Sequence, residues 1–356
     1  MPSQKLNFKK IVNRLILFIG LGVGAHIVFV LSTTEKSLLK FLSGISYIHL
    51  AIIIVLLYLP WIFYALRVYM WSIFLKEKIQ YADLLRVVIT ADLASALSPT
   101  AVGGAPVKAA LLLNRGFSSG NVGFLLTYGV IEDIIFYTLG IVLAGIFSSH
   151  LVSGMVTHVL DFTQEYSWYL IGFFTILMAY IYLLRKNKIP VGFRLMTYIP
   201  MSIKNKIYNF RSKLSDGIID MKSNFKMALK HGKLRMLASF TMLLLQWMAK
   251  FSVLLVILHA FGVDFDVIQS YIRQWVVFVM MLFIPTPGAS GGAEASFLLI
   301  FGKSIPSDLS FLIVSVWRLF TYYFVLLSSV LLYSLITFFL RNENTEIEVE
   351  AANKQN

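Results

Sequence analysis

Cysteine is absent from all 356 residues, and histidine occurs only six times. The first absence excludes disulfides, thiolate nucleophiles and cysteine-ligated metals. The histidines, at 26, 49, 150, 158, 231 and 259, are scattered, and none lies three or four residues from another as a helical metal pair requires. Neither a metalloenzyme nor a cofactor is expected. No Walker motif is present, so no phosphate loop for nucleotide hydrolysis is expected on this chain. Charge is scarce too: Asp, Glu, Lys and Arg make up 14% of the residues, against 58% hydrophobic and 15% aromatic. A soluble domain of this size cannot bury so much apolar surface, which makes the bilayer the expected solvent.

Acids are the scarcer sign, 18 against 31 Lys and Arg, for a net charge of +13. Such an excess suits nucleic acid when it forms a folded basic surface. Here it is concentrated between Arg185 and Arg235, where thirteen Lys or Arg face two acids, Asp216 and Asp220. With apolar runs on both sides, the positive-inside rule accounts for it, and the stretch 185–235 is expected to be a cytoplasmic loop lying against anionic headgroups. Nucleic acid is not an expected partner. The tail 341–356, with Glu343, Glu346, Glu348 and Glu350, reads as a disordered acidic extension.

Runs near twenty residues, such as Leu15 to Leu31 and Met236 to Leu258, carry almost no charge and read as spanning helices. Lys5, Lys9, Lys10 and Arg14 precede the first, but no small-residue cleavage site follows, so a retained span is expected rather than a signal peptide. Six spans are predicted, at 15–31, 46–66, 120–148, 166–184, 236–260 and 307–340. Two apolar stretches remain, 80–116 and 266–303. Charge parity decides how they cross. With the N-terminus inside, 46–66 returns the chain to the inside at Arg67, Lys76 and Lys78, and the basic stretch after 184 must also lie inside. That leaves one crossing too many unless 80–116 enters and leaves on the inner face. The same count from 236–260 to an inner C-terminus makes 266–303 re-entrant from outside. The expected fold is an all-α polytopic membrane protein of about six spans plus two oppositely oriented re-entrant hairpins. Residues 1–340 form one domain, with repeat one at 46–148 and repeat two at 236–340, and both termini are cytoplasmic.

The two re-entrant stretches share a pattern. SPTAVGGAPVKA at 98–109 and IPTPGASGGAEAS at 284–296 each hold Pro-Thr, a spacer and Gly-Gly-Ala. Thirty-three residues after Pro99 stands Glu132, and thirty-three after Pro285 stands Arg318. An inverted-topology repeat follows, chance likeness of two Gly-Pro turns being the alternative.

Proline and glycine unwind backbone, which is tolerated at membrane depth only where it is buried in protein or lines a wet cavity. A helix end beside a Gly-Gly turn offers free amides and partial positive charge to a phosphate or carboxylate. Thr100, Gly103 and Gly104 in the first break, and Pro285, Thr286, Gly288, Ser290, Gly291 and Gly292 in the second, are therefore candidate headgroup contacts. Close helix packing is the competing reading of the glycines. Glu132, Asp133 and Arg318 lie inside spans, where an unpaired charge costs about 3 kcal/mol, so each must face the interior. Glu132, Asp133 and Arg318 join the headgroup candidates; a central Glu132–Arg318 pair across the pseudo-symmetry axis is expected, binding of a lipid phosphate by Arg318 being the alternative. Asp92, Lys108 and Glu294 are further cavity candidates, although for Lys108 the inner membrane surface is the stronger reading. No histidine or other base adjoins these acids as a catalytic partner, and no catalytic residue is assigned.

The chain resembles the lysylphosphatidylglycerol synthase transmembrane, or flippase-like, family. The resemblance lies in PTAVGGAPVKAALLLNRG at 99–116, PTPGASGGAEASFL at 285–298 and WRLFTYY at 317–323. It extends over about 10–340. Pro106 stands where the second motif has Glu294. The resemblance implies a prokaryotic plasma-membrane protein that moves an anionic, polar or aminoacylated phospholipid, or a lipid-linked precursor, between leaflets. It also implies a homodimer, and a separate synthase as partner: in full-length members aminoacyl transfer resides in a soluble C-terminal domain, and with sixteen residues after Leu340 that activity is not expected on this chain.

Overall fold

The computed structural model describes residues 45–98, 102–147, 175, 201–284, 286, 288–302 and 304–335, with backbone alone at 201–215. Every regular element among them is helical. In chain order these are α1 Tyr47–Phe74, α2 Tyr81–Leu97, α3 Gly104–Asn114, α4 Ser119–Phe147, α5 Met201–His231, α6 Lys233–Ala260, α7 Val267–Met281, α8 Gly292–Phe301 and α9 Ser307–Leu335. Four of them, α1, α4, α6 and α9, are long and apolar enough to cross a membrane. The predicted spans at 15–31 and 166–184, and the acidic tail, lie outside the described residues.

The element order repeats. Long helix, broken helical pair and long helix occur as α1, α2–α3, α4 and again as α6, α7–α8, α9. Within each broken pair the two halves pack together. The leading helices, α1 and α6, lie antiparallel along their length. Trp71 Nε1 donates to Ser239 Oγ at 3.2 Å, Arg67 Nη1 to Gln246 Oε1 at 3.3 Å, and His49 Nε2 meets His259 Nδ1 at 3.0 Å. Successive rungs thus pair the end of one helix with the start of the other.

Two apolar clusters carry the packing. One joins Ile53 and Leu57 of α1 to Leu254 and Leu258 of α6, Phe297 and Phe301 of α8, and Ile313 and Trp317 of α9. The second joins Trp61 and Trp71 of α1 to Leu84 and Val88 of α2, Leu112 of α3, and Phe124 and Tyr128 of α4. Between α4 and the second repeat, the Phe136 ring stacks on Trp247 at 5.0 Å and on Trp275 at 4.4 Å. Outer faces are apolar as well: Ile131, Ile134, Ile135 and Leu139 of α4 are exposed, the surface of a helix whose neighbour is lipid.

Two expectations change, and one feature is new. The span expected to end at residue 66 runs on to Phe74, because Arg67 is buried and paired instead of marking a surface. The basic stretch expected as a loop contains the 31-residue helix α5. Gly217, Met221, Phe225 and Ala228 recur at helical spacing and form its packed stripe against α4, with Lys222, Lys226 and Lys230 exposed. The close approach there depends on Gly120 and Gly217: a Cβ on Gly120 would overlap Asp220 and stand 3.2 Å from Gly217 O. Finally, α9 contains a π-helical turn, Leu319–Phe324, directly after Arg318.

Candidate functional site

The two breaks converge on a cavity of about 610 Å³ lined by α1, α2, α3, α4, α6, α7 and α9. Pro60 lies inside α1 and lines it, leaving the ladder one donor short beside the cavity. Of the candidate residues, Asp92, Gly104, Lys108, Asp133, Thr286, Gly288 and Arg318 line the wall. Gly103, Glu132, Ser290, Gly291, Gly292 and Glu294 stand behind or beside it. Thr100 and Pro285 lie outside the described residues.

The first break is closed by packing. Ser98 Oγ accepts from Gly103 N at 2.8 Å, and a Cβ on Gly103 would stand 2.7 Å from Ala94 O. A Cβ on Gly104 would overlap Ser95 and stand 2.8 Å from Ala91 O. Both glycines thus serve the close contact of α2 with α3. The second break is held by hydrogen bonds within its own turn, with Thr286 Oγ1 donating to Ser290 O at 3.0 Å and Ala289 N to Thr286 O at 2.9 Å. Gly288, at φ +60°, has no room for a side chain, since a Cβ would overlap the Tyr322 ring.

The helix ends after the breaks differ. Glu294 occupies the first turn of α8, where its carboxylate offsets the positive end of the helix. The first turn of α3 has no acid. Lys108, one turn into α3, is buried rather than at the surface, and its Nζ donates to Tyr64 Oη at 2.9 Å.

The expected Glu132–Arg318 pair is not formed. Arg67 Nη2 contacts Glu132 Oε2 at 2.7 Å, with both side chains about 95% buried. Arg318 Nε donates to Glu294 Oε1 at 2.8 Å and Nη2 to Gly288 O at 2.9 Å, with the guanidinium over the Tyr322 ring. Each charge is instead paired with a side chain on another helix, Glu132 of α4 with Arg67 of α1 and Arg318 of α9 with Glu294 of α8. Tyr322 then joins the repeats, its hydroxyl donating to Ala96 O at the end of α2 at 3.1 Å.

Four wall charges remain outside any ion pair. The ion pairs among the described residues are Arg67–Glu132, Arg318–Glu294 and Arg115–Asp83. Lys108 and Lys250 therefore have no carboxylate within ion-pair distance among the described residues. Lys250 rests on the Trp247 and Phe278 rings, at 4.9 and 5.1 Å from their centres. Asp92 accepts from Trp61 Nε1 at 2.8 Å, and Asp133 faces the cavity. Arg67, Lys250, Tyr64, Trp61 and Gln246 are wall residues absent from the sequence-based candidates. Lys250 is a lone charge within the run 236–258, the one sequence signal that singles it out.

A helical bundle with apolar outer faces and a charged interior cavity defines a multi-pass membrane protein. The sequence profile of the lysylphosphatidylglycerol synthase TM region matches residues 17–329, and the chain belongs to that family. It is also 26% identical over 270 residues to a protein of Archaeoglobus fulgidus described as a UPF0104 membrane protein, covering 74% of this chain and 79% of the relative.

Proposed function

We propose that the protein moves a phospholipid between leaflets, passing its polar headgroup through the central cavity while the acyl chains stay in lipid. The single observation that carries this reading is the cavity wall itself. It brings Lys108 and Lys250, two cations outside ion pairs, to a space between the helix breaks. Desolvated cations in an apolar bundle are stabilised by an anion, and a phosphodiester supplies one. The substrate class is an anionic lipid, phosphatidylglycerol-derived and polar or aminoacylated, or a lipid-linked precursor. The antiparallel α1–α6 seam and the repeated element order support an inverted repeat in which α2–α3 and α7–α8 are re-entrant from opposite faces and rocking of the repeats alternates access. In this arrangement α5 lies on the cytoplasmic side.

Full-length protein reconstituted into phosphatidylcholine vesicles tests the proposal, with tail-labelled fluorescent phosphatidylglycerol as substrate and a membrane-impermeant reductant as quencher. Wild-type vesicles are expected to expose inner-leaflet label well above the protein-free rate, and Lys108→Ala and Lys250→Ala to lose most of that gain. Equal rates with and without protein would refute it. The family description favours a second reading, membrane partner of a phosphatidylglycerol lysyltransferase; lipid aminoacylation that requires both this chain and a soluble synthase would select it.

A further inference from the structure

We propose that Asp133 is a proton-binding site linked to the headgroup, so that an anionic lipid and a proton occupy the cavity together; this rests on the reading of the cavity as a headgroup site. Two adjacent carboxylates on α4 have opposite surroundings. Glu132 is buried and held by Arg67 at 2.7 Å. Asp133 faces the cavity and has neither an ion-pair nor a hydrogen-bond partner among the described residues. A carboxylate inside a span is neutralised by a partner, by a proton or by water, and at Asp133 the described residues supply no partner.

The groups that act on Asp133 come from several helices. Arg67 of α1, Lys108 of α3 and Glu132 on its own helix are within electrostatic reach, as is Tyr137 one turn along. Tyr64 of α1, Lys250 of α6, Asp92 of α2, and Arg318 and Tyr322 of α9 share the same cavity, whereas among the described residues α5 and α7 bring no titratable side chain to its wall. A phosphate drawn to Lys108 engages that cation and adds negative charge beside Asp133. Both changes favour the neutral acid over the carboxylate. The step is simple: a carboxylate oxygen of Asp133 takes a proton from cavity water as the phosphate arrives, and returns it to water when the phosphate leaves. By reciprocity, protonation tightens the hold on the phosphate by the same factor. A monoanionic lipid that crosses with one proton moves no net charge.

Asp308 is the control, an exposed carboxylate in the first turn of α9 that stands outside the cavity wall. Purified full-length protein in weakly buffered detergent would be mixed with short-chain phosphatidylglycerol and followed with a pH dye. Uptake of about one proton per bound lipid is expected for the wild type and for Asp308→Asn, and none for Asp133→Asn. In vesicles, wild-type transport of labelled phosphatidylglycerol should rise about threefold or more between about pH 7.5 and about pH 5.5. Asp133→Glu should keep that slope, and Asp133→Asn should be flat with pH. Lipid that binds or moves without proton uptake and without pH dependence would overturn the proton site and leave the headgroup reading standing. Uptake that survives Asp133→Asn but vanishes in Asp92→Asn would also overturn it, assigning the proton to Asp92. Absence of both lipid binding and transport would remove the headgroup reading, and the proton site with it.

Discussion

Replacing Glu132 by alanine strips the buried Arg67 guanidinium of the carboxylate it pairs with among the described residues and leaves it two weak contacts, Gln246 Oε1 at 3.3 Å and the Tyr64 ring at 5.4 Å. With charge centres about 4 Å apart and an effective dielectric near 20, the lost attraction is about 4 kcal/mol. That agrees with the cost of about 3–5 kcal/mol for breaking a buried pair by removing one partner. Removing both partners behaves differently, because no orphan charge remains. Arg67→Met with Glu132→Leu keeps the volume and discards the desolvation penalty, so the double variant should be far closer to wild type than either single variant. Equilibrium unfolding in mixed micelles, followed by tryptophan fluorescence, supplies the four free energies of the cycle. A Glu132→Ala cost below about 1 kcal/mol would show that water reaches the pair and refute its buried character. Additive single costs would refute the coupling.

Two further substitutions probe the backbone. Gly288→Ala places a methyl group against the Tyr322 ring at φ +60°, while Gly291→Ala meets open space at φ +80°. Both carry left-handed strain of about 1–3 kcal/mol, so the difference in their melting temperatures isolates the steric term, with Gly288→Ala the lower. Gly120→Leu should lever α5 away from α4, since a Cβ there already overlaps Asp220. Limited proteolysis within 216–231 is expected to speed up while α4 stays membrane-inserted, and an unchanged cleavage rate would count against the packed contact.

The long helices were legible because an apolar run of spanning length has one satisfactory solvent, and a helix is the only open-chain way to satisfy its backbone there. Proline and paired glycines located both breaks. Legibility failed where contact rather than composition decided the outcome. Arg67 looked like a surface marker because charge was read by sign, and its partner Glu132 lies 65 residues away. Symmetric placement of Glu132 and Arg318 suggested a pair, but symmetry gives equivalence and says nothing of distance. Glu294 had been read as a cavity carboxylate, yet it serves Arg318 and the α8 terminus. Helix α5 was hidden by its mean polarity, although the stripe Gly217, Met221, Phe225 and Ala228 was present in the sequence. Lys250 was diluted by the leucines and phenylalanines around it.

The π turn of α9 gives one rod two azimuths. Ile313, Trp317 and Phe320 belong to the first apolar cluster, whereas Leu332, past the turn, packs on the second, with Val325 touching both. Each residue of a π turn advances around the axis by less than an α-helical residue does, so the turn retards the phase of everything after it. The last helix therefore serves two clusters with one rod, its faces set apart by a fixed angle at the turn that follows Arg318 and carries Tyr322.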